Sequence, residues 1–473
     1  YASDPSTEII CLYYAVDYGE PERWLPGDDV PDVFHTPGAL HAAWNADGFE
    51  RLMWDFIMTP EHGFPYVELE QWRCTAFKAR CNNMPNALGN CARLLGTPQQ
   101  KQARGRELIK LLCVPLADGT FCKDPQLLEE MYAYCRDDVL TEMAVDQLLR
   151  EPTQEEWDDF YANVRLNERG MRIDRELAAA AVQYAQAEET DLIEHIQSIT
   201  GGEVLKARGE NLKKWVTERL TEDELKIITK VSKGEEKISL DKHNRTRLLA
   251  ELDLDSEVRE VVEASDFAQR SSVNKFSAML LRADPDTDKV HGAIMCNGAS
   301  SSGRFSSRGL QLHNFPRDVM DDPVHVRRMV VEGRPPDELV HLCDDTPIME
   351  ILAKMLRSGL IPTDDHVFLG ADWSAIEGRV APWLCGPEDA DALEKIRQYA
   401  DDEPVYEITA GKTFNKDPDD VTKHERQIGK VQELSFQYQG GYRAYLNMAR
   451  AYGMQASDTE AEKYKRAWRA NNE

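Results

Sequence analysis

An apolar run, Val367-Phe368-Leu369-Gly370-Ala371, leads into Asp372-Trp373-Ser374-Ala375-Ile376-Glu377, and further on the chain carries Arg426-Gln427-Ile428-Gly429-Lys430. An apolar strand closed by a carboxylate holds an oxygen ligand at a sheet edge, where a hard divalent cation is bound. Arg426, Lys430, Leu434 and Tyr438 recur every four residues, which on a helix sets them along one slowly drifting face. Two cations a turn apart match adjacent phosphates, and the apolar and aromatic side chains beyond them can floor a base. The spacing alone is that of any amphipathic helix. It is the pairing with the Asp372 segment that points to nucleotidyl transfer.

A chain of 473 residues, 42% of them hydrophobic, has room for two to four domains with real cores. No apolar run reaches membrane-spanning length and no signal-like segment opens the chain, so it reads as soluble and unexported, in a cytoplasm. The formal net charge of −28 argues against nucleic-acid binding by bulk electrostatics but leaves room for a locally basic cleft. The ten cysteines include no Cys-x-x-Cys pair and several sit in apolar runs, the pattern of buried free thiols in a reducing compartment rather than of structural zinc.

Along the chain, the first 150 residues mix a strand-like run, Ile9 to Val16, with a helical one, Leu127 to Leu149, as in an α/β domain. From about Glu155 to Asp284 the pattern is helical and highly charged. From about His291 Gly, Ser and Arg accumulate, and Ser302 to Arg317 is dense in polar donors suited to minor-groove acceptors and phosphates. Taken by itself, that segment reads more readily as a solvated loop. In the first domain Asn45 to Glu50 and Tyr134 to Asp138 stand out, because Tyr134 and Asp138 lie one helical turn apart, where a phenol and a carboxylate could face one site, although surface acids and a core Tyr are the commoner explanation for either piece.

In order, Ser302-Gly303-Arg304-Phe305-Ser306-Ser307 with Asn314-Phe315-Pro316, Asp372 to Glu377, and Arg426-x3-Lys430 through Gln439 match three motifs of one family. The chain resembles a family A DNA polymerase, of the bacterial DNA polymerase I family, and most of all its phage and prophage members. Asn167 to Asp174 is similar to the segment entering the palm, Ser271 to Phe276 to the thumb segment that touches duplex, and Tyr406 to the approach to the fingers. Asn45-x3-Phe49-Glu50 and Tyr134-x3-Asp138 resemble the second and third motifs of a DnaQ-like 3′–5′ exonuclease.

The resemblance implies an α/β multi-domain chain in which an RNase H-like 3′–5′ exonuclease domain (1–150) precedes a right-hand polymerase. The polymerase comprises the approach to the palm and a helical thumb (151–290), a partial palm (291–385) and fingers (386–473), with the nucleotide-binding helix at about 424–439. It implies Asp372 as a polymerase metal ligand, Glu377 as the obstacle to a 2′-hydroxyl, and Arg426, Lys430, Leu434 and Tyr438 around the nucleotide. Ser271, Lys275, Arg304, Gln311, His313 and Asn314 are expected on DNA, and Glu50, Tyr134 and Asp138 in the exonuclease site, with Glu50 and Asp138 as metal ligands. The implied cofactor is Mg²⁺, two per active site, with Mn²⁺ as a substitute. The implied partners are primer-template DNA, dNTPs and replisome proteins, with no membrane.

Several positions depart from the family pattern: Leu434 stands where Phe or Tyr is common, Ser435 and Gln439 where Gly is, His313 for Gln, and Glu50 where Asp is commoner. No Asp-x-Glu precedes Ile9 and no His-Asp-Glu follows Tyr438. The sequence therefore reads as a fragment at both ends, expected to be inactive by itself. Beside the leading expectation stand two others, an exonuclease with a vestigial polymerase half and a non-catalytic DNA-binding replication factor. The order of Asp372, Glu377, Arg426 and Lys430 argues against the first of these. A confined basic track of Arg304, Arg308, Arg317, Arg327 and Arg328 is expected to carry DNA binding on an acidic surface.

Overall fold

The structure is a computed structural model that describes residues 2–99, 104–232, 235–251, 253–269, 273–299 and 302–472. It is a mixed α/β molecule, mostly helical, that divides into two compact units, Tyr1–Val367 and Phe368–Glu473. Among the described residues every sheet is two-stranded. No described helix is long and apolar enough to cross a membrane.

In the first unit, β1 (Leu12–Tyr14) pairs antiparallel with β2 (Glu22–Trp24), and β3 (His41–Ala43) pairs parallel with β4 (Trp72–Cys74). The strand expected over Ile9 to Val16 is thus reduced to three paired residues, because only that stretch finds a partner for its backbone. Aromatic rings fill the core between these strands: Trp24, Trp54, Phe64, Trp72, Phe77, Trp157 and Phe160 pack as edge and offset pairs. Helix α1 (Thr75–Cys81) follows β4 directly. Helix α2 (Pro125–Asp146) covers the expected helical run from Leu127 as far as Asp146, and its start is set by Asp124, whose carboxylate accepts from the Gln126 and Leu127 amides ahead of Pro125.

Helix α3 (Gln154–Arg169) opens with a Thr153/Glu156 capping box and ends at Gly170, after which β5 (Met171–Arg172) pairs with β8 (Lys289–Val290). Between those strands lie the helical, charged residues anticipated from the sequence. Helix α4 (Arg175–Ile199) spans two cores: Leu177, Ala178 and Ala181 enter one, and Ile196 enters another built on Trp215, Val216, Leu248 and α5 (Ser256–Ala268). The first of these cores also takes Phe276 and Met279 of α6 (Asn274–Arg282), Val326, Met329 and Val330 of α7 (Pro323–Val331), and Ile351, Leu352 and Met355 of α8 (Ile348–Met355). The strands β6 (Thr229–Ser232) and β7 (Glu235–Ile238) form a separate hairpin.

After β8 come β9 (Ile294–Ala299) and β10 (Arg304–Ser307), an antiparallel pair with a register shift between Arg304 and Ser306. The second unit is all-helical among its described residues: α9 (Ile376–Cys385), α10 (Ala390–Ala400), α11 (Val405–Phe414), α12 (Lys423–Phe436), α13 (Tyr442–Ala451) and α14 (Asp458–Ala470). Its core joins Ile428, Val431 and Phe436 to Tyr445, Ala449 and Ala461.

One sequence expectation is overturned here. Val367 to Asp372 is not a strand. The stretch is irregular and strongly exposed, with Leu369 at 94% of its free surface, and among the described residues no neighbouring strand bonds to its backbone.

Candidate nucleotide and nucleic-acid sites

In the second unit, α12 is fixed by its own sequence before any packing acts on it. Thr422 accepts from the Glu425 amide while the Glu425 carboxylate returns to the Thr422 amide, and an ion pair with Lys416 holds that carboxyl down at about 2. The helix turns Ile428, Val431, Gln432, Glu433, Ser435 and Phe436 inward and leaves Arg426 exposed and Lys430 and Leu434 half-buried. Arg426, Lys430 and Leu434 do share one face. Tyr438 does not, because the helix stops at Phe436 and Gln439 takes a left-handed φ of 60°. Gly440 makes that stop possible: a Cβ on it would stand 1.9 Å from the Ser435 carbonyl oxygen. Tyr438 is exposed in the turn that follows.

The two cations are held differently. Arg426 Nε donates to Glu407 Oε1 at 2.6 Å, with the guanidinium 5.5 Å from the Tyr406 ring centroid. Lys430 Nζ lies 4.7 Å from the Tyr452 ring centroid. Behind them, Glu433 is a buried carboxylate, its side chain 3% exposed, that accepts from Lys395 Nζ at 2.8 Å, Thr409 Oγ1 at 2.6 Å and Trp468 Nε1 at 3.1 Å. One carboxylate thus ties α10, α11 and α14 to the rear of α12, and its three donors offset the desolvation that an unpaired buried charge would suffer.

Asp372 is exposed ahead of α9, and Glu377 sits half-buried in its first turn. Ala375, with φ of 48°, makes the sharp entry into that helix. Next to Glu377, Gly378 lies against the Tyr399 hydroxyl of α10, which a Cβ would meet at 2.3 Å, and the Arg379 guanidinium lies 5.4 Å from the Tyr399 ring. Burial, reinforced by the Glu433 charge, pushes the Tyr399 phenol up. Through Tyr399 and Lys395, α10 links the Glu377 helix to the Lys430 helix.

In the first unit, the segment after β10 is pinned by two buried apolar residues, Leu310 and Phe315, and between them Gln311, His313 and Asn314 are exposed. His313 donates its backbone N–H to Ser307 Oγ at 3.0 Å, and its ring Nδ1 bonds the same hydroxyl. Lys275 Nζ donates to the Asn314 carbonyl at 2.7 Å over the Phe315 ring. Burial lowers the Lys275 pKa. Arg304 is exposed on β10. Ser271 lies outside the described residues.

Two arginines of the expected basic track are committed to ion pairs. Arg308 reaches the buried Asp47 carboxylate at 3.2 Å and donates through Nε to the Gly292 carbonyl at 3.0 Å. Arg327 clasps Asp174, which caps α4, and reaches Glu176 at 3.1 Å. The track is therefore narrower than its sequence suggests.

Asp47 belongs to the turn Asn45 to Glu50, where the Asn45 amide donates to Glu50 Oε2 at 3.1 Å. Asp138 is half-buried on α2, while Tyr134 is buried with Leu108, Leu112 and Met131, its ring lying where a Cβ on Gly105 would stand 2.2 Å away. The Cys135 thiol, hydrogen-bonded with Cys11, lies within electrostatic reach of both Asp138 and Glu50. Glu142, one turn beyond Asp138, was not anticipated from the sequence. Its residue keeps some surface in solvent, but its carboxyl turns inward onto Thr75 Oγ1 at 2.7 Å, and burial together with the Glu50 charge pushes it up to about 8.

Asp372, Glu50 and Asp138 are hard oxygen donors of the right chemistry for Mg²⁺. Among the described residues, however, no group of three or more His, Cys, Asp or Glu converges as a cation site.

Residues 176–471 match DNA polymerase family A. A DNA polymerase of Bacillus phage SP02 is 29% identical over 492 aligned positions, which cover the whole of this chain and 71% of that protein. Among solved structures, the polymerase domain of Pol1 from M. smegmatis, in complex with DNA primer-template and dNTP, superposes with a TM-score of 0.52 at 16% identity, covering 96% of this chain and 68% of that one. The fold is that of a polymerase domain. The chain belongs to DNA polymerase family A, and its reaction class is nucleotidyl transfer by a DNA polymerase.

Proposed function

We propose that the protein carrying this chain extends a primer 3′ end with deoxynucleoside monophosphates copied from a template, by in-line attack of the primer hydroxyl on the α-phosphate of a dNTP with release of pyrophosphate. The observation that carries the reading is α12 itself, which presents Arg426 and Lys430 one turn apart on its outward face while Glu433 anchors the opposite face. Cations so placed bind and orient a triphosphate by charge-assisted hydrogen bonds. Glu377 stands beside the sugar and excludes a 2′-hydroxyl, with Leu434 and Tyr438 near the base. Arg304, Gln311, His313 and Asn314 read the primer end from the loop pinned by Leu310 and Phe315, with Lys275 bracing it and Ser271 on the duplex. Asp372 is one ligand of the divalent cation, Mg²⁺ or Mn²⁺, which when bound supplies charge neutralisation to the transferring phosphoryl group.

The first 150 residues are proposed as a 3′–5′ proofreading exonuclease domain, with Glu50 and Asp138 as its carboxylates and Tyr134 beside them. The support is that one thiol, Cys135, lies near both acids. The domain assignment of 151–290 to the palm approach and thumb, 291–385 to the palm and 386–473 to the fingers is part of the same reading. So is a role in phage DNA replication in the host cytoplasm alongside replisome proteins.

The test is primer extension by parent and Asp372→Ala forms of the protein carrying this chain, beside a DNA-binding titration. Extension is expected to vanish while primer-template affinity stays near the parent value, since no phosphate donor is lost. Extension near the parent rate rejects the assignment.

A further inference from the structure

Gly429 lies between Arg426 and Lys430 on the side of α12 that faces α11, and the two helices meet there without a side chain between them. A Cβ on Gly429 would stand 2.3 Å from the Tyr406 carbonyl oxygen and 3.1 Å from the Ala410 Cβ. The next residue after Tyr406 is Glu407, so this approach sets a carboxylate of α11 against the guanidinium of α12. The contact runs through Arg426 Nε alone, at 2.6 Å, and the Tyr406 ring lies 5.5 Å from the guanidinium carbon. Arg426 remains 44% exposed while Glu407 is 24% exposed. A long side chain with several free rotamers is thereby held at its inner edge, with the terminal nitrogens unbonded by any described residue. A guanidinium fixed in that way offers its outer fork to an anion and loses little rotamer freedom on binding one.

We propose that Glu407 is a positioning residue for nucleotide binding: it grips Arg426 by the Nε edge and aims the two Nη groups at the phosphates of an incoming dNTP. This rests on the reading of Arg426 as a triphosphate ligand. The opposite arrangement, in which Glu407 competes with phosphate for Arg426, would call for a carboxylate that occupies the fork. The bond here leaves the fork open.

Binding of dATP and of dAMP to the full chain, each with Mg²⁺, separates the alternatives. Glu407→Ala is expected to weaken dATP about fivefold, the size of one charge-assisted contact at a half-exposed site, and to leave dAMP nearly unchanged. Glu407→Gln, which keeps an acceptor for Nε, should recover most of the loss, and in an Arg426→Ala background Glu407→Ala should add nothing. In primer extension the same variant should raise KM for dNTP with little change in kcat. Tighter dATP binding by Glu407→Ala, an unchanged affinity, or an equal loss for dAMP each overturns the proposal. Arg426→Ala is read separately: if it alone leaves dATP binding intact, the triphosphate reading falls, whereas a loss with Arg426→Ala and none with Glu407→Ala removes only the role of Glu407.

Discussion

A carboxyl buried among other carboxylates persists most easily by keeping its proton. Glu142 is in that position, with Glu50 and Asp146 nearby and the Thr75 hydroxyl as its hydrogen-bond donor. Below about pH 4.5 it is protonated folded and unfolded alike, so its burial carries no ionisation cost. Between that pH and about 8 only the unfolded chain releases the proton, and the stability the neutral group contributes is lost as pH rises. Glu142→Gln, which still accepts from Thr75, is expected to flatten this decline and to unfold at higher temperature than the parent at pH 8 to 9. Thermal unfolding across pH measures it, and parallel curves would disprove it. At the same scale, Glu377→Ala is expected to admit ribonucleotides by removing an obstacle from the sugar site. Competition between dNTP and rNTP in primer extension reads the outcome, and unchanged selectivity removes Glu377 as the gate.

At the scale of elements, the glycines of the second unit act through what approaches them. Gly378 admits the Tyr399 hydroxyl, Gly429 the Tyr406 carbonyl and Gly440 the Ser435 carbonyl. Alanine in a helix interior normally gains about 1 kcal/mol over glycine. At Gly429 the added methyl meets backbone, and prising α11 from α12 outweighs that gain, so Gly429→Ala is expected to destabilise by on the order of 1–2 kcal/mol. Denaturant unfolding should show a lower midpoint. A stabilised variant would mean that α11 and α12 are not in close contact.

Across the whole molecule, a net charge of −28 leaves DNA binding to a few cations, and not all arginines near the proposed path are available. Arg304→Ala is expected to reduce the salt dependence of primer-template binding by about one unit of log–log slope. Arg327→Ala should leave that slope unchanged and instead lower stability, because its guanidinium is spent on the buried Asp174 that caps α4. Binding titrations from low to moderate salt distinguish the two, and equal slopes for parent and Arg304→Ala would place that residue off the DNA. The Asp47–Arg308 pair acts at the same scale, joining the Asn45–Glu50 turn to the end of the β9–β10 hairpin within one unit.

Local signals were legible without the structure. The four-residue spacing of Arg426, Lys430 and Leu434, the long helix of α2 and the charged helical stretch before Asp284 follow from interactions within a turn or two of chain, and so a sequence determines them. The order of three motifs was legible too, and it led to the family. What the tertiary structure decided are the contacts between residues far apart in sequence: Arg308 with Asp47, Arg327 with Asp174, Glu433 with Trp468, Glu407 with Arg426. It also decided that Val367 to Asp372 stays irregular and that Tyr438 lies beyond its helix. A strand exists only when a second backbone pairs with it, and a side chain becomes a partner only when packing brings its mate within reach.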